Sequence, residues 1–174
     1  VLTVMAQEGG LPDVAPKAGW DTLAPVKKSE NDWPWWRGPN FDNIAPPGQK
    51  PPTAWGAGSN ILWQVKIPGV GHSSPCVVGN RIYITSGIKT QGQTTLWLFC
   101  LDRNTGKTVW QTELYIGASA KVHADNSPAS STPACDGERV FVAYQTDSSV
   151  VMVAVDVEGK IRWRQTVAPY NTIQ

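Results

Sequence analysis

This chain repeats itself. Within His72–Gly87 (HSSPCVVGNRIYITSG) and Ala129–Tyr144 (ASSTPACDGERVFVAY), corresponding positions match at a single offset of 58 residues. Ser74-Pro75 falls over Thr132-Pro133, Gly79 over Gly137, Arg81 over Arg139, and Ile82-Tyr83-Ile84 over Val140-Phe141-Val142. Downstream, Cys100–Trp110 (CLDRNTGKTVW) matches Ala154–Trp163 (AVDVEGKIRW), with one residue fewer between Asp and Gly. Both copies are rich in β-branched and aromatic residues, which favour strands. A period of about 40–50 residues with this composition marks a small sheet that cannot bury its faces alone.

Turn residues divide each copy into four strands. The first copy gives Ser74–Val78, Arg81–Thr85, Leu96–Leu101 and Thr108–Leu114, with turns at Gly79-Asn80, around Gln91-Gly92-Gln93, and over Asp102–Lys107. The second gives Thr132–Cys135, Arg139–Tyr144, Val150–Val155 and Ile161–Val167, with Asp136-Gly137 as the strongest hairpin signal. Leu96–Leu101 is almost continuously apolar, as a strand buried on both faces requires. Alternation over Ile61–Ile67, stopped by Pro68-Gly69, predicts one extra strand. With 16 Gly and 14 Pro punctuating the chain, no capped amphipathic window survives, so no helix is expected. The expected fold is all-β: a β-propeller of four-stranded antiparallel blades, at about 72–114 and 129–167, plus the extra strand. Propellers close with about 4–8 blades. Two blades and a lone strand therefore read as a fragment that stops where a third blade would begin.

Ahead of residue 61 the periodicity disappears. Residues 1–6 read as a signal-peptide remnant, with Val4-Met5-Ala6 before polar Gln7-Glu8, or else as an ordinary N-terminal strand or truncation scar. The signal reading implies a secreted or periplasmic protein. Residues 7–60 form a Trp/Pro-rich extended segment. Trp33, Trp35 and Trp36 are too apolar for a solvated linker, so this stretch is expected to lie across the folded body. No apolar run reaches the ~20 residues of a membrane span.

Charge and cysteine usage exclude other classes. A net charge of +1 without a basic stripe argues against nucleic acid. Cys76, Cys100 and Cys135 lack metal-ligand spacing, so no metal site is expected. They read as buried thiols, or as one disulfide with an odd thiol.

The pattern small-x-Asp-x-x-x-Gly-x-x-x-Trp is carried by Cys100, Asp102, Gly106 and Trp110, and, one residue shorter, by Ala154, Asp156, Gly159 and Trp163. It resembles the tryptophan-docking motif of quinoprotein propellers. Physically, the small residue lets sheets approach, Asp and Gly build a tight turn, and Trp covers the seam to a neighbour. Each Trp is expected near the Gly turn of its own repeat. Asp32-Trp33-Pro34-x-Trp36-Arg37-Gly38-Pro39-Asn40, Ile61-Leu62-Trp63 and Gly71-His72-Ser73-Ser74-Pro75 resemble a group of secreted PQQ-like repeat propellers abundant in planctomycete-type bacteria. That resemblance implies about seven or eight blades in the whole protein. An active quinoprotein dehydrogenase would, by the same resemblance, carry a vicinal cysteine pair and a calcium site of Glu, Asn and Asp beside PQQ. No two cysteines are adjacent here, so no cofactor is expected in this stretch.

Propeller ligands gather, by analogy, at the loops that link blades. His72 falls in one such loop, and His123, Asp125 and Asn126 in the other. These four, with Arg37, are the candidate ligand-binding residues; the alternative is that they satisfy loop backbone. His72 and His123 are expected at the same end of the blades. Two functions compete: an exported non-catalytic propeller whose face binds protein or glycan, and a PQQ- and calcium-dependent oxidoreductase acting on an alcohol or sugar. A hydrolase or lyase using the loop histidines is a third.

Overall fold

A computed structural model describes residues 26–118, 122–123 and 125–169. The signal-peptide reading of residues 1–6 lies outside them. Eight strands form: β1 (Cys76–Val78), β2 (Arg81–Thr90), β3 (Gln93–Asp102), β4 (Thr108–Ala118), β5 (Ala134–Cys135), β6 (Arg139–Gln145), β7 (Ser149–Asp156) and β8 (Ile161–Pro169). They make two four-stranded antiparallel sheets, β1-β2-β3-β4 and β5-β6-β7-β8, with no helix among the described residues. The all-β expectation of two four-stranded blades holds.

The sheets stack through their alternating faces. Tyr83, Leu98 and Cys100 of the first sheet meet Val140, Val142, Val153 and Val155 of the second in one buried cluster. Each fully buried Val or Leu contributes about 1.5–3 kcal/mol by leaving water. Polar ties fix the stack: the Tyr144 hydroxyl and the Arg164 guanidinium both donate to the Leu114 carbonyl, at 3.2 and 2.6 Å. The far side of the second sheet is open. Ile161, Trp163 and Val167 of β8 are exposed, an apolar margin of the kind that a neighbouring surface would cover.

The segment expected as an extra strand, for which two blades leave no blade of its own, lies unpaired. Ile61–Ile67 is extended but pairs with no described strand, and Leu62 is 94% exposed. Alternation gives a strand only where a partner supplies ladder hydrogen bonds, and β4 is bonded to β3 alone. The segment is held instead by side chains. The Trp63 indole N–H donates to the Arg103 carbonyl at 2.9 Å, and the Ser86 hydroxyl to the Pro68 carbonyl at 2.5 Å.

The tryptophans also correct an expectation. Trp110 packs on Gly159 of the following repeat rather than on Gly106 of its own, and donates its indole N–H to the Val157 carbonyl at 2.9 Å. Trp63 does the same one repeat earlier, over Gly106. The rise of the fourth strand carries its Trp across the gap, so the indole reaches the next turn. Those turns are built by Asp. The Asp102 carboxylate accepts the Asn104 and Thr105 N–H groups at 3.0 and 2.9 Å. Asp156 accepts Glu158 and Lys160 N–H groups at 3.1 and 2.8 Å. Gly106 and Gly159 have φ of 69° and 93°, which a side chain would resist.

The Trp-rich segment crosses both sheets at their first strands. Trp33 and Val77 exchange backbone bonds at 2.7 and 2.8 Å, and Asp32 accepts the Gly79 N–H at 2.8 Å. The Pro34 carbonyl accepts the Cys135 N–H at 2.8 Å and the Cys76 thiol at 3.1 Å, while the Lys27 N–H reaches the Asp136 carbonyl at 2.9 Å. It is a strap across two sheet edges.

Candidate functional site

The two loops that precede β1 and β5 interlock. His72 and Ser73 N–H groups both donate to the Ala129 carbonyl, at 3.0 and 3.1 Å. The Ser74 N–H donates to the Thr132 hydroxyl at 3.1 Å, and the Thr85 hydroxyl to the Ser131 carbonyl at 3.3 Å. Gly71 permits this approach, since a Cβ there would stand 2.9 Å from the Thr85 carbonyl oxygen. His72 and the loop that carries His123 therefore lie at the same end of the sheets.

Shared position does not make a constellation. His72 is exposed and engages its neighbours through its backbone. His123 is exposed too; its Nδ1 accepts the Asp125 N–H at 3.2 Å and stands 3.5 Å from the Asp125 carboxylate. Both side chains are largely exposed, and a contact this open contributes little. Asn126 is the organiser of the loop. Its carboxamide oxygen accepts the Ser127 N–H at 2.8 Å and the Ser130 hydroxyl at 2.5 Å, and its own N–H donates to the His123 carbonyl at 2.9 Å. Arg37 is joined to none of these by a hydrogen bond or ion pair. Its guanidinium stacks over Trp36 at 5.5 Å within the strap.

Beside Asn126 a cleft of about 370 Å³ opens between this loop and the β6–β7 hairpin. Asn126, Ser127, Ser130 and Ser131 line one wall, and Ala143, Gln145 and Val150 the other. Of the five residues expected from sequence, only Asn126 lies here. The serines and Gln145 were missed; the Ser130-Ser131-Thr132 run was the available signal, but the repeat alignment absorbs it as scaffold. Among the described residues the lining carries no Lys, Arg, His, Asp or Glu. It offers hydroxyls, carboxamides and short apolar side chains, which recognise shape and hydrogen bonds rather than charge.

That donor set does not fit PQQ with calcium. A tricarboxylate quinone calls for cations, and calcium for several oxygen ligands including carboxylates. Among the described residues no group of three or more His, Cys, Asp or Glu is placed to hold a metal ion.

Comparison with known proteins agrees with the fold. The family model described as outer membrane protein assembly factor BamB, a PQQ-like repeat model, matches residues 53–173. No curated protein matches the chain.

Proposed function

The chain belongs to that PQQ-like repeat family, and from this premise we propose that it is a non-catalytic β-propeller module. It works outside the cytoplasm as a binding or scaffold unit, and its ligand, protein or glycan, docks at the end where the linking loops meet. The family description, an outer membrane assembly factor, supports an extracytoplasmic place and a role in holding other molecules. No described helix is long and apolar enough to cross a membrane.

The observation that carries the reading is the cleft beside Asn126, whose described lining bears no charged side chain. A general acid or base must sit within reach of the proton it moves. Here the two histidines are exposed, and neither lines the recess. An oxidoreductase reading would instead need cations and carboxylates around a quinone.

The test is a titration of intrinsic tryptophan fluorescence with PQQ and calcium, followed by a dye-linked oxidation assay on short alcohols and hexoses. The expected result is no saturable quench and no dye reduction. A saturable quench accompanied by turnover would establish the oxidoreductase instead.

A further inference from the structure

We propose that Cys76 and Cys135 are the site of an inter-sheet disulfide, formed by exchange with an external disulfide of the glutathione class while the sheets fold or open. The structure holds all three cysteines as free thiols, the reduced form. Cys76 starts β1 and Cys135 ends β5, and these two strands are in contact where the sheets meet. One carbonyl joins the two residues. That of Pro34 accepts the Cys76 S–H at 3.1 Å and the Cys135 N–H at 2.8 Å. The Cys76 S–H has the Cys135 sulfur as a second acceptor, and the Gly137 N–H donates to that sulfur at 3.3 Å. Two donors on one sulfur favour its thiolate, which makes Cys135 the attacking group and Cys76 its partner.

The register singles out this pair. Cys76 lies opposite Tyr83, and Tyr83 opposite Cys100, so Cys76 and Cys100 stand two strands apart in one sheet. Two inter-strand spacings come to roughly 10 Å, beyond the ~7 Å between Cα atoms that a disulfide spans. Cys100 has no hydrogen bond to either thiol among the described residues, which leaves it as the odd one. The exchange runs in two steps. The Cys135 thiolate attacks the glutathione disulfide, giving a mixed disulfide and one glutathione thiolate. Cys76 then loses its proton and attacks the Cys135 sulfur, expelling the second glutathione thiolate. Two protein thiols are oxidised, and one glutathione disulfide is reduced to two thiols that take up the two protons. The strap survives the change, because the Pro34 carbonyl gives up the Cys76 S–H and keeps the Cys135 N–H. For its oxidant in the cell the inference rests on the extracytoplasmic place proposed above, where disulfides form and persist. Burial of both residues then shields the bond from reductant.

The experiment equilibrates the reduced full chain with reduced and oxidised glutathione in urea below its unfolding midpoint. Acid quench, alkylation and mass spectrometry of the linked peptides then map the pairing. Linkage of Cys76 to Cys135 should exceed either pairing with Cys100 by about tenfold or more, since the native geometry strains the others. In full denaturant the preference should reverse, because Cys76 to Cys100 and Cys100 to Cys135 close shorter loops. Ellman's reagent should count a single thiol in the oxidised, unfolded chain and all three in the reduced one. The linked form should melt higher by roughly 10 °C, because the bond closes a long loop. Cys100→Ser should keep both the linkage and the shift, and Cys135→Ser should lose both. The mapping is made on the parent chain, so a poorly folded variant does not decide the matter. Three free thiols at every glutathione ratio, or native linkage through Cys100, overturns the proposal and leaves the binding-module reading standing. Turnover with PQQ overturns that reading and leaves the disulfide standing.

Discussion

The indole N–H of Trp110 donates to the main-chain carbonyl of Val157, across the gap between one sheet and the next, at 2.9 Å. Trp63 makes the matching bond to Arg103, also at 2.9 Å. In each case the acceptor is the residue after the turn-building aspartate. Trp163, third in the series, donates its N–H to no described residue and is 39% exposed. Replacing Trp110 by Ala should therefore cost about 3–5 kcal/mol, and Trp163→Ala under about 1 kcal/mol. Chemical denaturation of the two variants checks the difference. Equal losses would mean that the inter-sheet contact is not what Trp110 supplies.

Gly159 tests the other half of that contact. A Cβ there would stand 2.9 Å from the Trp110 ring, on a backbone with φ of 93°. Gly92 also has positive φ, 81°, but an added Cβ meets nothing within 4 Å. Both alanine variants carry the backbone strain, so their difference isolates the clash. Gly159→Ala should be less stable than Gly92→Ala by about 1–3 kcal/mol, read from urea midpoints.

The aspartate turns predict an acid response. Backbone donation from Lys160, then the nearby Arg162, holds the Asp156 carboxyl below its ordinary value of 3.8. The Thr105 hydroxyl and N–H hold Asp102 below it likewise. A depressed folded-state pKa gives stability that is present above the unfolded value and lost as pH falls through the folded one. The melting temperature should thus fall below about pH 4, and less steeply in Asp156→Asn. Parallel pH profiles for the parent and the variant would remove this role from Asp156.

The thiols should be silent. Cys76, Cys100 and Cys135 are buried. Burial pushes the Cys100 thiol up to about 12, and the hydrogen bond with Cys135, then burial, pushes Cys76 up; the same bond holds Cys135 below its ordinary value, so burial is what shields that thiol. Nucleophilicity needs the thiolate. Ellman's reagent at pH 8 should find no thiol in the native chain and all three after denaturation. A fast-reacting native thiol would contradict this packing.

These elements show how far a repeat can be read. The strands around Tyr83 and Val142 were legible because each copy has its own turn residues at fixed offsets, and turn chemistry is local. Ile61–Ile67 reads as a strand by alternation and yet lies unpaired, because alternation records which side chains face a surface, whereas a strand also needs a bonded neighbour. Trp110 was assigned to the wrong turn for a related reason: its spacing from Gly106 and the rise of β4 fix a distance, and only the stacking of sheets says which glycine lies within it. The candidate site was least legible. His123 and Asp125 attract attention by residue type, but the recess is framed by serines and Gln145, whose meaning depends on the hairpin opposite.

The strap has a consequence for how the chain is made. Lys27 docks on Asp136 and pairs with Glu138, 111 residues further along. At synthesis rates of roughly 5–20 residues per second, Trp33, Trp35 and Trp36 leave the ribosome on the order of 5–20 s before β5 exists to receive them. The first sheet alone offers only the Val77 edge, Gly79 and the Cys76 thiol in that interval. A newly made chain is thus most vulnerable to capture by chaperones or to self-association at its leading aromatic stretch, and the late closing of the strap over β5 marks the end of that window.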